Sequence, residues 1–266
     1  MNKFQDSPEY LKKKALFQQL LTIYGRKPVL EALQTKSLPC FRLHLAESNK
    51  PAPIIKELKA LAEQQNIEIV YHDRQALSRI SKNSKQDQGV CLDIRCTSHQ
   101  DYRAFLKSHK DIKPGHSTQT IRLLALDRIT NPQNMGMIIR SACAGNIDGI
   151  LIPEKGSAKL DALVIKASTG TLFKAPLLKC DSLDQALVSC KEAGAAIIAL
   201  SGEAQLALAD FKEPQFTVYV LGNETEGVSK TISSLCDTSV HIPMNNQVES
   251  LNVAVTASLL AFRHLL

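Results

Sequence analysis

The feature that most constrains this chain is a recurrence in its second half. Short apolar runs (Leu123–Leu126, Gly149–Ile152, Ala195–Leu200, Thr217–Leu221 and Val240–Ile242) alternate with stretches of helical periodicity, Met135–Ala144, Leu160–Ala167 and Leu183–Ala193. A strand apolar on both faces has no solvated side, so runs of this kind predict a buried, mainly parallel sheet with helices on both faces. Ligands of such sheets bind beyond the carboxyl ends of the strands. The segments that follow the strands are therefore the places to look for chemistry.

Three of them are unusual. After Leu123–Asp127 comes Asn131-Pro132-Gln133-Asn134-Met135-Gly136-Met137-Ile138-Ile139-Arg140-Ser141-Ala142. Asn131-Pro132 predicts a turn, Asn134 is placed to cap the helix that follows, and Arg140 then falls inside an apolar helix, where a guanidinium needs an anion or an exit to solvent. After Thr217–Leu221 comes Gly222-Asn223-Glu224-Thr225-Glu226-Gly227-Val228-Ser229, whose two glycines allow a tight loop and close backbone approach to a ligand. After Val240–Ile242 comes Pro243-Met244-Asn245-Asn246-Gln247-Val248-Glu249-Ser250-Leu251-Asn252, entering a final helix over 252–265. With Ser250 as the cap, Asn252 sits in the first turn of an apolar helix and calls for a partner.

The first 120 residues differ in charge. They hold 20 Lys and Arg against 12 Asp and Glu, a net +8, whereas the rest holds 12 against 14, a net −2. Basic charge confined to one part fits an RNA-binding module beside a near-neutral catalytic domain, and equally a soluble surface. The pattern predicts an N-terminal helical extension over 1–22 (an amphipathic helix from Pro8 to Leu21) and a small α/β domain over 23–96. That domain takes strands at Phe41–Ala46, Ile67–Tyr71 and Val90–Ile94, a helix at Pro51–Gln65, and a polar basic loop from Arg79 to Gly89. A polar linker with a helical turn or two follows over 97–120, then the larger α/β domain over 121–266.

Several classes are excluded or disfavoured. No apolar stretch approaches a membrane span, and the polar start does not read as a secretory signal. The seven cysteines are scattered without CxxC, which predicts reduced thiols in a cytoplasmic setting and no metal site. No GxGxxG follows the first strand of the second half, against a dinucleotide-dependent oxidoreductase, and no GK[ST] occurs, against a P-loop NTPase.

Taken together and in order, NPQNMGMIIRSA, LGNETEGVS and IPMNNQVESLNVAV closely resemble the three motifs of the SpoU (TrmH) family of RNA ribose methyltransferases, within the SPOUT class; Lys166-Ala-Ser-Thr-Gly170 also looks familial. The resemblance covers about Leu123 to Leu266. Gly25-Arg26-Lys27-Pro28-Val29-Leu30 and Gln88-Gly89-Val90 resemble the family's small substrate-binding domain, although members usually carry His where Asp87 stands. The resemblance implies S-adenosylmethionine as donor, a ribose 2′-OH as acceptor, a homodimer and a C-terminal trefoil knot. It further implies cofactor contacts at Leu221, Gly222, Ile242, Met244 and Leu251, and reaction chemistry at Asn134, Arg140, Glu224, Ser250 and Asn252. Asn134 and Asn252 are expected to orient Arg140, and Glu224 to pair with it. Large-subunit rRNA is the favoured target, with guanosine the favoured nucleoside. A tRNA methyltransferase, or a non-catalytic RNA-binding assembly factor of the same fold, is the alternative; the intact motifs speak against the latter.

Overall fold

The computed structural model describes residues 17, 19–35, 38–96, 98–109 and 120–265. The chain divides into two compact units: Met1–Thr97 with Leu160–Ala162, and Ser98–Lys159 with Leu163–Leu266.

The first unit is built on β1 (Leu20–Tyr24), β2 (Cys40–Ala46), β3 (Glu68–His72) and β4 (Val90–Arg95), with α1 (Arg26–Gln34), α2 (Pro53–Gln64) and α3 (Arg74–Ser81). The sheet runs β1-β4-β2-β3; β4 is antiparallel to β1 and β2, and β2 is parallel to β3. Most of the expected helix Pro8–Leu21 lies outside the described residues, and its last two residues belong to β1. There Leu20 and Leu21 pair with Arg95 and Ile94, and this pairing wins over helical periodicity. The expected basic loop is shorter than read: Arg79, Ile80 and Ser81 close α3, which Asp73 caps through the amide of Ala76 at 2.7 Å and which buries Leu77 against Ala46 and Cys91.

The second unit contains β5 (Gln100–Asp101), α4 (Tyr102–Ser108), β6 (Ile121–Leu126), α5 (Pro132–Ala144), β7 (Gly149–Pro153), α6 (Ala162–Ala167), β8 (Leu177–Cys180), α7 (Leu183–Glu192), β9 (Ala196–Leu200), β10 (Leu206–Ala207), β11 (Phe216–Leu221), α8 (Lys230–Ser233), β12 (Thr238–His241) and α9 (Val253–Phe262). Its eight strands run β10-β12-β9-β11-β6-β7-β8-β5, every pairing parallel. Strand residues alternate between faces. Leu123, Ala125, Val218 and Val220 meet α4 and α7 on one side. Leu124, Leu126, Tyr219 and Leu221 are as deeply buried on the other, where α5 and α9 pack together. Gly136 permits α5 to approach α6: a Cβ there would lie 2.4 Å from the Cβ of Ala167 and 2.8 Å from the amide of Ser168.

The expected linker is partly core. Residues 98–109 form β5 and α4, and Tyr102 and Phe105 are buried among Leu178, Leu183 and Leu187. The sequence reading missed this because seven helical residues with two aromatics give too short a stripe to stand out in a polar stretch. It also missed the four-residue β8 and the two-residue β10.

Candidate active site

The strand order reverses around β6, β11 and β9, and the three unusual segments leave the carboxyl ends of β6, β11 and β12. Pro132 begins α5, and the cap is Asn131, not Asn134: its Oδ1 accepts from the amides of Gln133 (2.8 Å) and Asn134 (3.3 Å). Asn134 is thereby placed in the first turn and buried. Its Nδ2 donates to Glu224 Oε1, and its Oδ1 accepts from Asn252 Nδ2 at 3.1 Å. Asn252 in turn is the cap of α9, its Oδ1 accepting from the amide of Ala254 at 2.9 Å; Ser250 is not the cap. The Asn252 end of this chain of bonds is chemically fixed, because the backbone N–H of Ala254 only donates. The orientation of both amide groups follows. One residue from each of the three segments is locked into a single array, Glu224–Asn134–Asn252.

The β11 loop is folded tightly. Asn223 Oδ1 accepts from the amides of Thr225 (2.9 Å) and Glu226 (3.4 Å), and the amide of Gly227 donates to Asn223 O at 2.8 Å. A Cβ on Gly222 would stand 2.1 Å from the carbonyl carbon of Gly227, so no other residue fits.

A cavity of about 680 Å³ opens beside this array at the ends of β9, β11 and β12. Leu221, Gly222, Ile242, Met244 and Leu251, the residues expected at the cofactor, all line it, as do Glu224 and Ser250. Its wall also includes Ser201, Gly202 and Glu203 after β9, which the sequence reading passed over for want of a motif. Among the described residues Glu203, Glu224, Glu226 and Glu249 line it, and no lysine or arginine does. A site with this balance favours a cationic ligand over an anionic one.

Arg140 stands apart. It is exposed, on the same stripe of α5 as Gln133, Met137 and Ala144, and it does not line the cavity. Among the described residues its guanidinium has no hydrogen-bond or ion-pair partner. The expected pairing with Glu224 is therefore not made within one copy: Glu224 is engaged by Asn134, whose face of the helix is turned inward while that of Arg140 is turned out.

In the first unit, Asp87 is fully buried. Its carboxylate accepts from Ser81 Oγ (3.0 Å) and the amide of Gly89 (2.9 Å), and it pairs with Arg74 at 3.0 Å. This aspartate builds the 82–89 turn from inside. Among the described residues no group of three His, Cys, Asp or Glu side chains could hold a metal ion, and no helix is long and apolar enough to cross a membrane.

Residues 122–262 match the SpoU rRNA Methylase family, and residues 22–98 match the RNA 2′-O ribose methyltransferase substrate binding domain. The chain belongs to the SpoU family. It is an RNA methyltransferase, and the family activity is 2′-O-ribose methylation from S-adenosylmethionine. An uncharacterized tRNA/rRNA methyltransferase of Mycobacterium leprae is 32% identical over 234 residues, 88% of this chain and 73% of that one. Among solved structures, the SpoU methyltransferase AviRb of Streptomyces viridochromogenes, in complex with AdoMet, superposes with a TM-score of 0.57 at 21% identity over 96% of this chain and 92% of that one. An AdoMet-bound rRNA methyltransferase of Sinorhizobium meliloti gives 0.58 at 20% identity, over 98% and 92%. These two likenesses bear on the fold, an α/β SpoU architecture with a smaller N-terminal domain.

Proposed function

We propose that this chain methylates a ribose 2′-OH in structured RNA, with large-subunit rRNA the favoured target, guanosine the favoured nucleoside and tRNA the alternative. The observation that carries the reading is the Glu224–Asn134–Asn252 array, which joins all three motif segments at the edge of the cavity. The cavity fits the donor: its volume lies within the range of small-ligand sites, and its carboxylates suit a sulfonium. When bound, S-adenosylmethionine supplies an electrophilic methyl group on a good leaving group. The protein's task is then to align and activate a weak hydroxyl nucleophile. Leu221, Gly222, Ile242, Met244 and Leu251 hold the donor, and Ser250 borders it. A guanidinium is not deprotonated in proteins, so Arg140 acts by holding the adjacent RNA phosphate and stabilising developing negative charge on the 2′-oxygen.

Arg140 is exposed and does not line the cavity of its own copy, which supports a reading in which it serves the cavity of a second copy. Met137 of α5 and Val255 and Leu259 of α9 are 42%, 46% and 43% exposed, an apolar face beside Arg140 that suits a homodimer contact. We read the site as completed in the dimer. Incubating the protein with methyl-labelled S-adenosylmethionine and total RNA, then mapping nuclease-resistant linkages, tests the activity and its target; label in protein or in bases overturns it. Arg140→Ala is expected to abolish transfer while cofactor affinity stays within about threefold, less than the 1.4 kcal/mol of a tenfold change. Loss of cofactor binding in that variant counts against the assigned role.

A further inference from the structure

We infer that Arg128 is a positioning residue for the donor, a clamp that holds the 222–229 loop against the end of β6. The inference rests on the reading of the cavity as the cofactor site and adds a residue that no motif contains.

Arg128 is the second residue past β6 and has φ 59°, a left-handed backbone uncommon for an arginine. β6 and β11 pair in register up to Leu126 and Leu221, and the amide of Asp127 carries the ladder one step further to Leu221 O at 2.9 Å. From there the 127–128 pair grips the loop at four points. Asp127 Oδ2 accepts from the amide of Ser229 at 2.7 Å. The carbonyl of Arg128 accepts from Asn223 Nδ2 at 3.1 Å. The guanidinium donates to Gly227 O at 3.2 Å and forms a close ion pair with Glu226. Glu226 and Gly227 line the cavity; Arg128 does not, so it acts through the loop.

Magnitudes separate a positioning role from a merely stabilising one. The side chains of Arg128 and Glu226 are 37% and 66% exposed, and ion pairs of that exposure contribute little to global stability. Their effect falls on the loop, where the guanidinium fixes one carboxylate and one carbonyl at fixed separation. A lysine brings three donors on one nitrogen and lacks the planar fork that spans both acceptors at that separation.

The test compares Arg128→Gly, which removes the side chain and tolerates the left-handed backbone, with Arg128→Lys, Glu226→Ala and the Arg128→Gly/Glu226→Ala double variant. Arg128→Gly is expected to raise the KM for S-adenosylmethionine about tenfold, with turnover at saturating cofactor changed less than about twofold and melting temperature nearly unchanged. Arg128→Lys is expected between the two, and the double variant no worse than the worse single, because both remove one interaction. A second readout needs no cofactor: amide hydrogen exchange at residues 223–229 of the ligand-free protein is faster in Arg128→Gly than in the parent. Unchanged exchange, or additive losses in the double variant, overturns the clamp. Faster exchange in a protein that binds no S-adenosylmethionine keeps the clamp and overturns the cavity reading instead.

Discussion

Asn134 is the residue on which the three segments depend. Its amide is a two-sided connector: the nitrogen engages the carboxylate of Glu224 and the oxygen engages the cap of α9. Asn134→Ala removes both bonds from a buried position and should cost about 1–3 kcal/mol of stability. Turnover should fall further, by about 100-fold, because Glu224 and Asn252 lose their common reference. Asn134→Asp should be worse than Ala, since it sets one carboxylate against another. Chemical denaturation and single-turnover methyl transfer would measure the two effects. Turnover falling only in proportion to stability would reduce Asn134 to a structural residue.

At the scale of elements, the short helical turn after α6 shows how a segment without catalytic groups is pinned. His99, between β4 and β5, is fully buried, and its Nε2 donates to the carbonyl of Leu172 at 2.8 Å while Nδ1 has no hydrogen-bond partner among the described residues. Burial, with Lys179 nearby, lowers its pKa to about 4 from 6.5, against the raising effect of the Leu172 bond. The folded state therefore holds the neutral ring while the unfolded chain takes up a proton below pH 6.5. Stability from this group is complete above about pH 6.5 and is lost as pH falls toward 4, by at most about 3 kcal/mol. Urea midpoints across that window, compared between the parent and His99→Gln, should show a shallower fall in the variant. Parallel curves would refute the assignment to His99.

Over the whole second unit, the site at the carboxyl ends of the strands is balanced by a buried polar lock at the other end. The carboxylate of Glu213 takes Arg122 Nε at 2.9 Å, Tyr219 OH at 3.0 Å and His264, while Arg263 donates to Tyr219 OH at 3.0 Å and to Phe211 O at 2.7 Å. Burial first, then Glu213, pushes the Tyr219 phenol above its usual range. The residues just past α9 are thus tied to β6 and β11, and α9 carries Asn252 at its other end. Arg122 and Glu213 are only 11% and 6% exposed, so Glu213→Ala strands a buried guanidinium and should cost about 3 kcal/mol. Glu213→Gln, which keeps acceptors, should cost less; a loss below about 1 kcal/mol for Ala, read from equilibrium unfolding, would mean the lock is not felt. A dimer sets a second expectation at this scale. Mixing Arg140→Ala with Glu224→Ala protein should restore part of the activity that each lacks alone, through mixed pairs with one intact site. No recovery after verified subunit exchange would place Arg140 in its own copy's site.

The sequence by itself determined the parallel sheet, because strands buried on both faces must be apolar throughout and Leu123–Leu126 and Thr217–Leu221 could be little else. It also determined the segments that carry chemistry, since Gly222, Asn252 and the Asn131-Pro132 turn are each costly or pointless without a local reason. Short pieces escaped it: β8, β10 and α4 exist through what they pack against, and Leu20–Leu21 joined a strand because β4 offered a partner. The roles within the site were likewise decided only in three dimensions. Which asparagine caps and which connects depends on where α5 begins relative to β11 and α9, a relation no local pattern encodes. The outward stripe that carries Arg140, and the left-handed Arg128 against the 222–229 loop, are set by the packing of α5 and by the register of β6 with β11.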